Sequence, residues 1–163
     1  MSIRIANFND LQAMVHIYNQ AILTNRCTAD TEIFTFEERI GWFKSHENEA
    51  YPLYVYEMDN KVVGYLYFSA YRPGRKAMIA TAEISYYLHE DFLGKGIGSE
   101  LMTFAINRAP DLGFKPLIAI LLSINVPSIG LLKKFNFEPW GCMADIAVFD
   151  HGTCSHLYYG LKV

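Results

Sequence analysis

Three glycines at alternate positions, Gly94, Gly96 and Gly98, are the residues whose type and spacing point most directly to chemistry. Glycine lets the backbone turn sharply and approach a ligand without a Cβ in the way. The helical spacing of apolar residues after Ser99 places these glycines at a helix start, where amide groups lack partners and the helix dipole is positive. A loop of this kind can bind a phosphate, and a purely structural turn is the alternative.

The loop matches neither of two common phosphate motifs. The pattern G-x-G-x-x-G fails because the sixth residue from Gly94 is Ser99 and the sixth from Gly96 is Leu101. The P-loop pattern fails because no Gly-Lys pair in the chain is followed by Ser or Thr. What remains is a glycine loop between a strand and a helix.

The alternation of residues 83–88 predicts the strand before the loop, with Glu83, Ser85 and Tyr87 on one face. Periodic segments elsewhere predict the elements that position it. Helices should begin near residues 11, 35, 99 and 125, the second with a capping box between Thr35 and Glu38 and the third closed by Gly113. Further strands are predicted at residues 3–5, 53–57, 62–68, 117–122, 140–149 and 156–163. This order predicts one α+β domain over residues 1–163.

Composition and charge exclude several classes of function. A chain of 163 residues, 52% of them hydrophobic, can bury a sizeable core. A net charge of −3 without a run of Lys or Arg argues against a nucleic-acid partner, and no apolar segment is long enough to cross a membrane. Three widely spaced cysteines without a CxxC pair predict neither a disulfide nor a zinc site. A reducing, cytoplasmic setting is therefore expected, with the cysteines as packing or surface residues.

The segment from Ser69 to Ala77 is cationic and carries Arg72 and Arg75 close to Tyr71. Arginine can hold a carboxylate through a bidentate pair of hydrogen bonds. On composition alone, a solvated surface loop accounts for the same residues equally well.

The stretch Leu93-Gly94-Lys95-Gly96-Ile97-Gly98-Ser99 resembles the cofactor loop of the GCN5-related N-acetyltransferases (GNAT), with Gly96 and Gly98 at its two small positions. The departure is Leu93, where the family has Gln or Arg. Similarity to the phosphinothricin and methionine sulfoximine N-acetyltransferase subgroup runs over almost the whole chain, through Ile17-Tyr18-Asn19, Thr31-Glu32, Thr35 with Glu37-Glu38, Tyr71-Arg72, Glu83, and Asn125 with Pro127-Ser128. The resemblance implies the GNAT fold, a mixed and mostly antiparallel twisted sheet of about seven strands flanked by about four helices.

The resemblance also implies acetyl-CoA as co-substrate and no metal. The residues it assigns to the cofactor are Tyr86, Tyr87 and Leu88 along the pantetheine arm, Gly94, Lys95, Gly96, Ile97, Gly98 and Ser99 at the pyrophosphate, and Asn125 beside the arm. For Asn125, an ordinary helix N-cap is the alternative. The position at which many family members carry a proton donor for the leaving thiolate holds Leu132.

Glu83 lies where the subgroup has its proposed general base, although a lone Glu on a strand is more often a solvated or paired residue. A base is needed because a free amine is mostly protonated near pH 7. An N–H at the end of the central strand, that of Leu88, would stabilise the oxyanion. The residues that the resemblance places near the acceptor amine are Thr31, Glu32, Tyr71, Arg72 and Arg75.

These residues predict a cytoplasmic N-acetyltransferase acting by direct transfer on the amine of a small amino-acid-like molecule of the phosphinothricin or methionine sulfoximine type. The family further implies a homodimer with no nucleic-acid or membrane partner. Two alternatives stay open. One is a protein acetyltransferase of the same fold, acting on a peptide N-terminus or a lysine. The other is a non-catalytic acyl-CoA-binding sensor, which Leu93 and Leu132 favour and Glu83 opposes.

Overall fold

The structure, a computed structural model, describes residues 1–163 and contains one seven-stranded sheet with four α-helices. The strands are β1 (Ser2–Ile5), β2 (Leu53–Met58), β3 (Lys61–Ala70), β4 (Ala82–Leu88), β5 (Pro116–Leu122), β6 (Glu138–Phe149) and β7 (Gly152–Lys162). The helices are α1 (Leu11–Leu23), α2 (Phe36–Ser45), α3 (Ile97–Arg108) and α4 (Val126–Lys134). The strand order is β1-β2-β3-β4-β5-β7-β6, and only β4 and β5 are parallel neighbours. The predicted fold class is confirmed.

The sheet carries a hydrophobic core on each face. The core under α1 and α2 includes Leu11, Val15, Phe43, Val55 and Tyr65, and the core under α3 and α4 includes Leu66, Ile84, Leu101, Met102 and Leu132. Successive strand side chains point to opposite faces. Glu83, Ser85 and Tyr87 therefore face α1 and α2, whereas Tyr86 and Leu88 face α3 and α4.

Several local predictions hold in detail. Thr35 and Glu38 form the capping box of α2, with side chains and backbone amides bonded reciprocally. The register of β2 and β3 shifts next to Gly64, whose added Cβ would lie 2.6 Å from Leu88 Cδ2, so the neighbouring strand approaches this glycine too closely for a side chain.

Two boundaries were predicted wrongly. Gly113 was predicted to end α3. It instead ends the 3-10 turn Pro110–Leu112 that follows α3, because the chain changes to the tighter 3-10 geometry before it reaches the glycine. β7 begins at Gly152 rather than residue 156, because Thr153 and Cys154 pair with β6 and the Cys154 side chain is buried. No helix of the structure combines the length and the apolar character required to span a bilayer.

The two central strands diverge in the middle of the sheet. β4 pairs with β5 only at Ala82 and Glu83. Beyond that point β4 remains paired with β3 up to Leu88, and β5 remains paired with β7 up to Leu122. The divergence opens a gap whose edge on one side is the unpaired backbone of β4.

Candidate active site

A cavity of about 660 Å³ lies beside the end of β4 that has parted from β5, and neither Glu83 nor any residue of β5 lines it. The cavity is lined by the end of α1 and the turn after it, Tyr86 to Leu88 of β4, the glycine loop, and the first turns of α4. The structure thus brings most of the predicted cofactor residues to one place. A second cavity, of about 850 Å³, lies between the end of α2 and the end of α3, and none of the predicted site residues lines it.

The backbone of β4 presents hydrogen-bonding groups to this gap. The amide of His89 donates to Val63 O of β3 at 2.9 Å. Because backbone groups alternate in direction along an antiparallel pair, Tyr87 also turns its amide to β3, while Tyr86 and Leu88 direct theirs to the gap. Tyr86 and Leu88 can therefore bind an extended amide-containing chain through their backbone, and Tyr87 borders the cavity without doing so.

The glycine loop presents free amides at the N-terminus of α3. Gly94 and Gly96 have φ of +73° and +87°, a left-handed conformation that favours glycine. The amide groups of residues 94–98 donate to no backbone or side-chain acceptor, and the first such bond of the helix runs from Ser99 N to Gly96 O. Free amides, together with the positive end of the helix dipole, form an anion site.

Lysines add positive charge to the anion site. Lys134 Nζ on α4 donates to Ser99 Oγ at 3.0 Å, and Lys95 Nζ lies 4.6 Å from the centroid of the Phe92 ring. Lys134 was not predicted as a site residue. Its three-residue spacing from Leu131, which lines the cavity from the same helix, is the signal that could have indicated it.

Asn125 lies at the start of α4 and is buried. Its Oδ1 accepts a hydrogen bond from the Ser128 amide at 3.3 Å, so it caps the helix as the alternative interpretation expects. The residue also lines the cavity. Capping and a contact with a ligand are compatible, because the cap uses only one atom of the side-chain amide.

Glu83 lies at the point where β4 and β5 part, on the face of the sheet covered by α1 and α2. Its carboxylate is half-buried and forms no hydrogen bond or ion pair within the protein. Burial raises the pKa of the Glu83 carboxyl above its ordinary value of 4.5. An unpaired carboxylate with a raised pKa is a stronger base than an exposed one and is typical of a functional site.

Hydrogen bonds connect the loop between α1 and α2 to α1 on both sides of Thr31 and Glu32. Tyr18 Oη donates a hydrogen bond to Asp30 Oδ2 at 2.5 Å. The Tyr18 ring packs edge-on against the ring of Tyr87 of β4, with 4.8 Å between the ring centroids. Asn19 bonds both backbone groups of Phe34, at 2.8 and 3.0 Å. Thr31 and Glu32 themselves are exposed.

The other predicted acceptor residues lie on the connection between β3 and β4. Arg72 and Arg75 are exposed, Tyr71 is half-buried, and neither arginine forms an ion pair within the protein. The connection joins the strand ends at Ala70 and Ala82, one residue from Glu83. Both guanidinium groups are therefore free to bind an anion close to the end of β4 that carries Glu83.

Arg39 of α2 is a further cation that sequence reasoning did not identify. Its guanidinium lies 4.0 Å from the Trp42 ring, 4.9 Å from Tyr18 and 5.1 Å from Phe34, and it has no carboxylate partner. It is on the same face of the sheet as Glu83. In the sequence Arg39 directly follows Glu38 of the capping box. Only its three-residue spacing from Trp42 could have indicated that its guanidinium stacks on the Trp42 ring.

Leu132 departs from the pattern of the family that the sequence resembles, and Cys27 lies at the cavity. Leu132, at the position of the proton donor, is fully buried in the core under α3 and α4 and presents no polar group. Cys27 lines the cavity, although it was expected to be a packing or surface residue.

A diverging strand pair, an amide-lined anion loop and an unpaired carboxylate are features that an acyl-transfer site requires. The anion loop suits a phosphorylated carrier, and the β4 edge suits an amide-containing arm that leads from the loop to Glu83. The arrangement is the one expected of an acyltransferase whose acyl carrier bears a phosphate and amide groups.

Comparison with known proteins agrees with this class. The sequence matches the Acetyltransferase (GNAT) family over residues 12–137. It is 42% identical over 151 residues to YwnH of Bacillus subtilis strain 168, a candidate phosphinothricin acetyltransferase, covering 92% of this chain and 91% of that protein. It is 32% identical over 146 residues to the L-methionine sulfoximine/L-methionine sulfone acetyltransferase of Pseudomonas paraeruginosa, covering 89% of this chain and 84% of that protein.

A solved structure gives the same result. The phosphinothricin acetyltransferase of Sinorhizobium meliloti, crystallised with acetyl-CoA, superposes with a TM-score of 0.91 at 29% identity, covering 99% of this chain and 88% of that chain. The chain belongs to the GNAT family of N-acetyltransferases.

Proposed function

We propose that this protein transfers an acetyl group from acetyl-CoA directly to the amine of a small amino-acid-like molecule, with Glu83 as general base. The observation that carries the proposal is the half-buried, unpaired Glu83 carboxylate at the point where β4 and β5 part. It lies at one end of a gap whose other end is a loop of free amides.

The residues present fit the proposed co-substrate. The amides of residues 94–98, with Lys95 and Lys134 beside them, are suited to the pyrophosphate, and the backbone of Tyr86 and Leu88 is suited to the pantetheine arm. When bound, acetyl-CoA supplies an activated thioester. The chain's own groups do the rest: Glu83 removes a proton from the amine, directly or through water, and the Leu88 amide is aimed at the gap to stabilise the oxyanion.

The acceptor is proposed to be of the phosphinothricin or methionine sulfoximine type, as the names of the two relatives and the crystallised neighbour support. Arg72, Arg75 and Arg39 are cations without carboxylate partners on or beside the face of Glu83. They can hold the carboxylate of such a molecule while its amine approaches the gap, with Thr31, Glu32 and Tyr71 along the approach.

The substrate class is tested by offering the enzyme paired acceptors with acetyl-CoA and identifying acetylated products by mass spectrometry. We expect methionine sulfoximine, methionine sulfone or phosphinothricin to be acetylated at a kcat/KM at least about tenfold above that of the matching amine without a carboxylate, since a charged hydrogen bond is lost. Equal rates for both members of every pair would contradict a carboxylate site. Preference for a lysine peptide would favour the protein acetyltransferase.

We also propose a cytoplasmic homodimer. All three cysteines are free, as suits a reducing compartment. β6 is an edge strand of 12 residues with Met143, Ile146 and Val148 exposed, and a long apolar edge is a surface that proteins usually cover.

The dimer is tested by light scattering after size exclusion. We expect a mass of twice the 18.6 kDa chain for the wild type and a shift to the single chain for Val148→Asp, which buries a charge in the proposed interface. A wild-type mass of 18.6 kDa at micromolar concentration would contradict the homodimer.

A further inference from the structure

A pair of hydroxyl groups spans the gap on the side opposite to Glu83. Tyr86 of β4 extends from the sheet to α4, where its Oη lies 2.5 Å from Ser128 Oγ. Both residues line the cavity. Ser128 is held in turn by its own amide, which donates to Asn125 Oδ1. The Tyr86 hydroxyl oxygen is therefore held between β4 and α4.

The strand alternation places Tyr86 and Glu83 on opposite faces of the sheet. Ile84, the neighbour of Glu83, packs into the core under α3 and α4, and Tyr86 follows it on that same face. A group that takes a proton from the attacking amine and a group that contacts the departing sulfur must approach the reacting carbonyl from different sides. Glu83 and Tyr86 have this relation, because they project from opposite faces of β4.

Leu132, which follows Ser128 on this side of α4, provides no donor. Ser128 and Leu132 are one helical turn apart and lie on one side of the helix. Leu132 is fully buried and apolar. The hydroxyl pair is one turn closer to the N-terminus of α4 and borders the cavity.

We propose that Ser128 donates its hydroxyl proton to Tyr86 Oη, and that the Tyr86 hydroxyl in turn donates a hydrogen bond to the sulfur of CoA as the acetyl group leaves. The inference rests on the proposed function and adds a catalytic residue to it. The C–N bond forms, the C–S bond breaks, and the electron pair of that bond stays on sulfur. Glu83 takes the proton of the amine and returns it to solvent.

The phenol keeps its own proton in this step. Burial raises the pKa of Tyr86 to about 12, with a lowering contribution from the bond to Ser128. An ordinary thiol has a pKa of about 8.5, so the sulfur is the weaker base and leaves as a thiolate. The thiolate then takes its proton from water, which balances the reaction.

The test compares Tyr86→Phe with Tyr54→Phe, a matched control whose hydroxyl bonds Arg108 outside the cavity. We expect Tyr86→Phe to lower kcat by about 10- to 100-fold, as for one hydrogen bond to a charged group, with little change in the KM for acetyl-CoA. Calorimetric titration with CoA and with desulfo-CoA at pH 8.5 adds a second readout. The wild type should bind CoA more tightly than desulfo-CoA, and Tyr86→Phe should lose that preference.

The two readouts separate the possible failures. Unchanged kcat in Tyr86→Phe, or a lower kcat with the CoA preference retained, would overturn the role of the hydroxyl. If no amine is acetylated even by the wild type, the proposed function fails. The CoA preference of the wild type and its loss in Tyr86→Phe would still decide whether Tyr86 contacts the sulfur.

Discussion

Glu83→Gln is expected to lower kcat by about 10²- to 10⁴-fold at pH 7.5 while leaving the Kd for acetyl-CoA unchanged, as for the loss of a positioned general base. The amide keeps the shape of the side chain and cannot accept the proton of the amine. Turnover is measured by thiol release and affinity by calorimetry. Glu47→Gln, an isosteric change on the exposed segment after α2, is the control.

The pH dependence provides an independent check on the same residue. Because burial raises the pKa of Glu83, kcat/KM should fall as the pH is lowered through a value above the ordinary 4.5, and this limb should be absent from the residual activity of Glu83→Gln. A limb that persists in the variant, or full turnover at neutral pH, would remove Glu83 from the role of base.

Glu83→Gln should preserve or raise the Tm of the protein although it lowers kcat. A carboxyl whose pKa is raised on folding stabilises the protein fully only below its unfolded pKa, and this contribution is lost as the pH rises through the folded pKa. At neutral pH the buried charge therefore opposes folding, and Glu83→Gln should have an equal or higher Tm. A lower Tm would mean that lost activity reflects damage to the fold.

Gly96→Val is expected to raise the Kd for acetyl-CoA by about 10- to 100-fold, equivalent to losing one or two charge-assisted hydrogen bonds. A Cβ on Gly96 meets no protein atom within 4 Å, so a larger side chain projects into the space in front of the free amides. The φ of +87° adds backbone strain that shifts those amides. Calorimetry measures the Kd.

Gly113→Val is the matched control, because Gly113 has φ of +80° and open space around its Cβ, and it lies outside the cavity. Both variants should lose similar stability, and only Gly96→Val should lose affinity. Unaltered affinity in Gly96→Val would mean that the loop is a structural turn.

Much of the fold follows from short-range patterns. The reciprocal bonds of Thr35 and Glu38, and the hairpin of β2 and β3, depend on residues a few positions apart, which sequence spacing describes directly. The glycine loop is similar, because a strand, alternate glycines and a helix start are all local. Family and co-substrate followed from that loop together with the resemblance along the chain.

The remaining features depend on contacts between distant residues. Tyr86 meets Ser128 across 42 positions, and Lys134 meets Ser99 across 35. The divergence of β4 and β5, which remain paired with β3 and β7, is a feature that no periodicity reveals. That Arg39 has no carboxylate partner could be recognised only once its neighbours in space were known.

The most direct test is thiol release from acetyl-CoA with methionine sulfoximine as acceptor, compared between the wild type and Glu83→Gln at equal protein concentration. The account predicts amine-dependent release by the wild type, one acetylated amine for each thiol, and near-complete loss in the variant with acetyl-CoA binding intact. Tight acetyl-CoA binding without release, for methionine sulfoximine and for every other amine tried, would contradict it and favour a sensor.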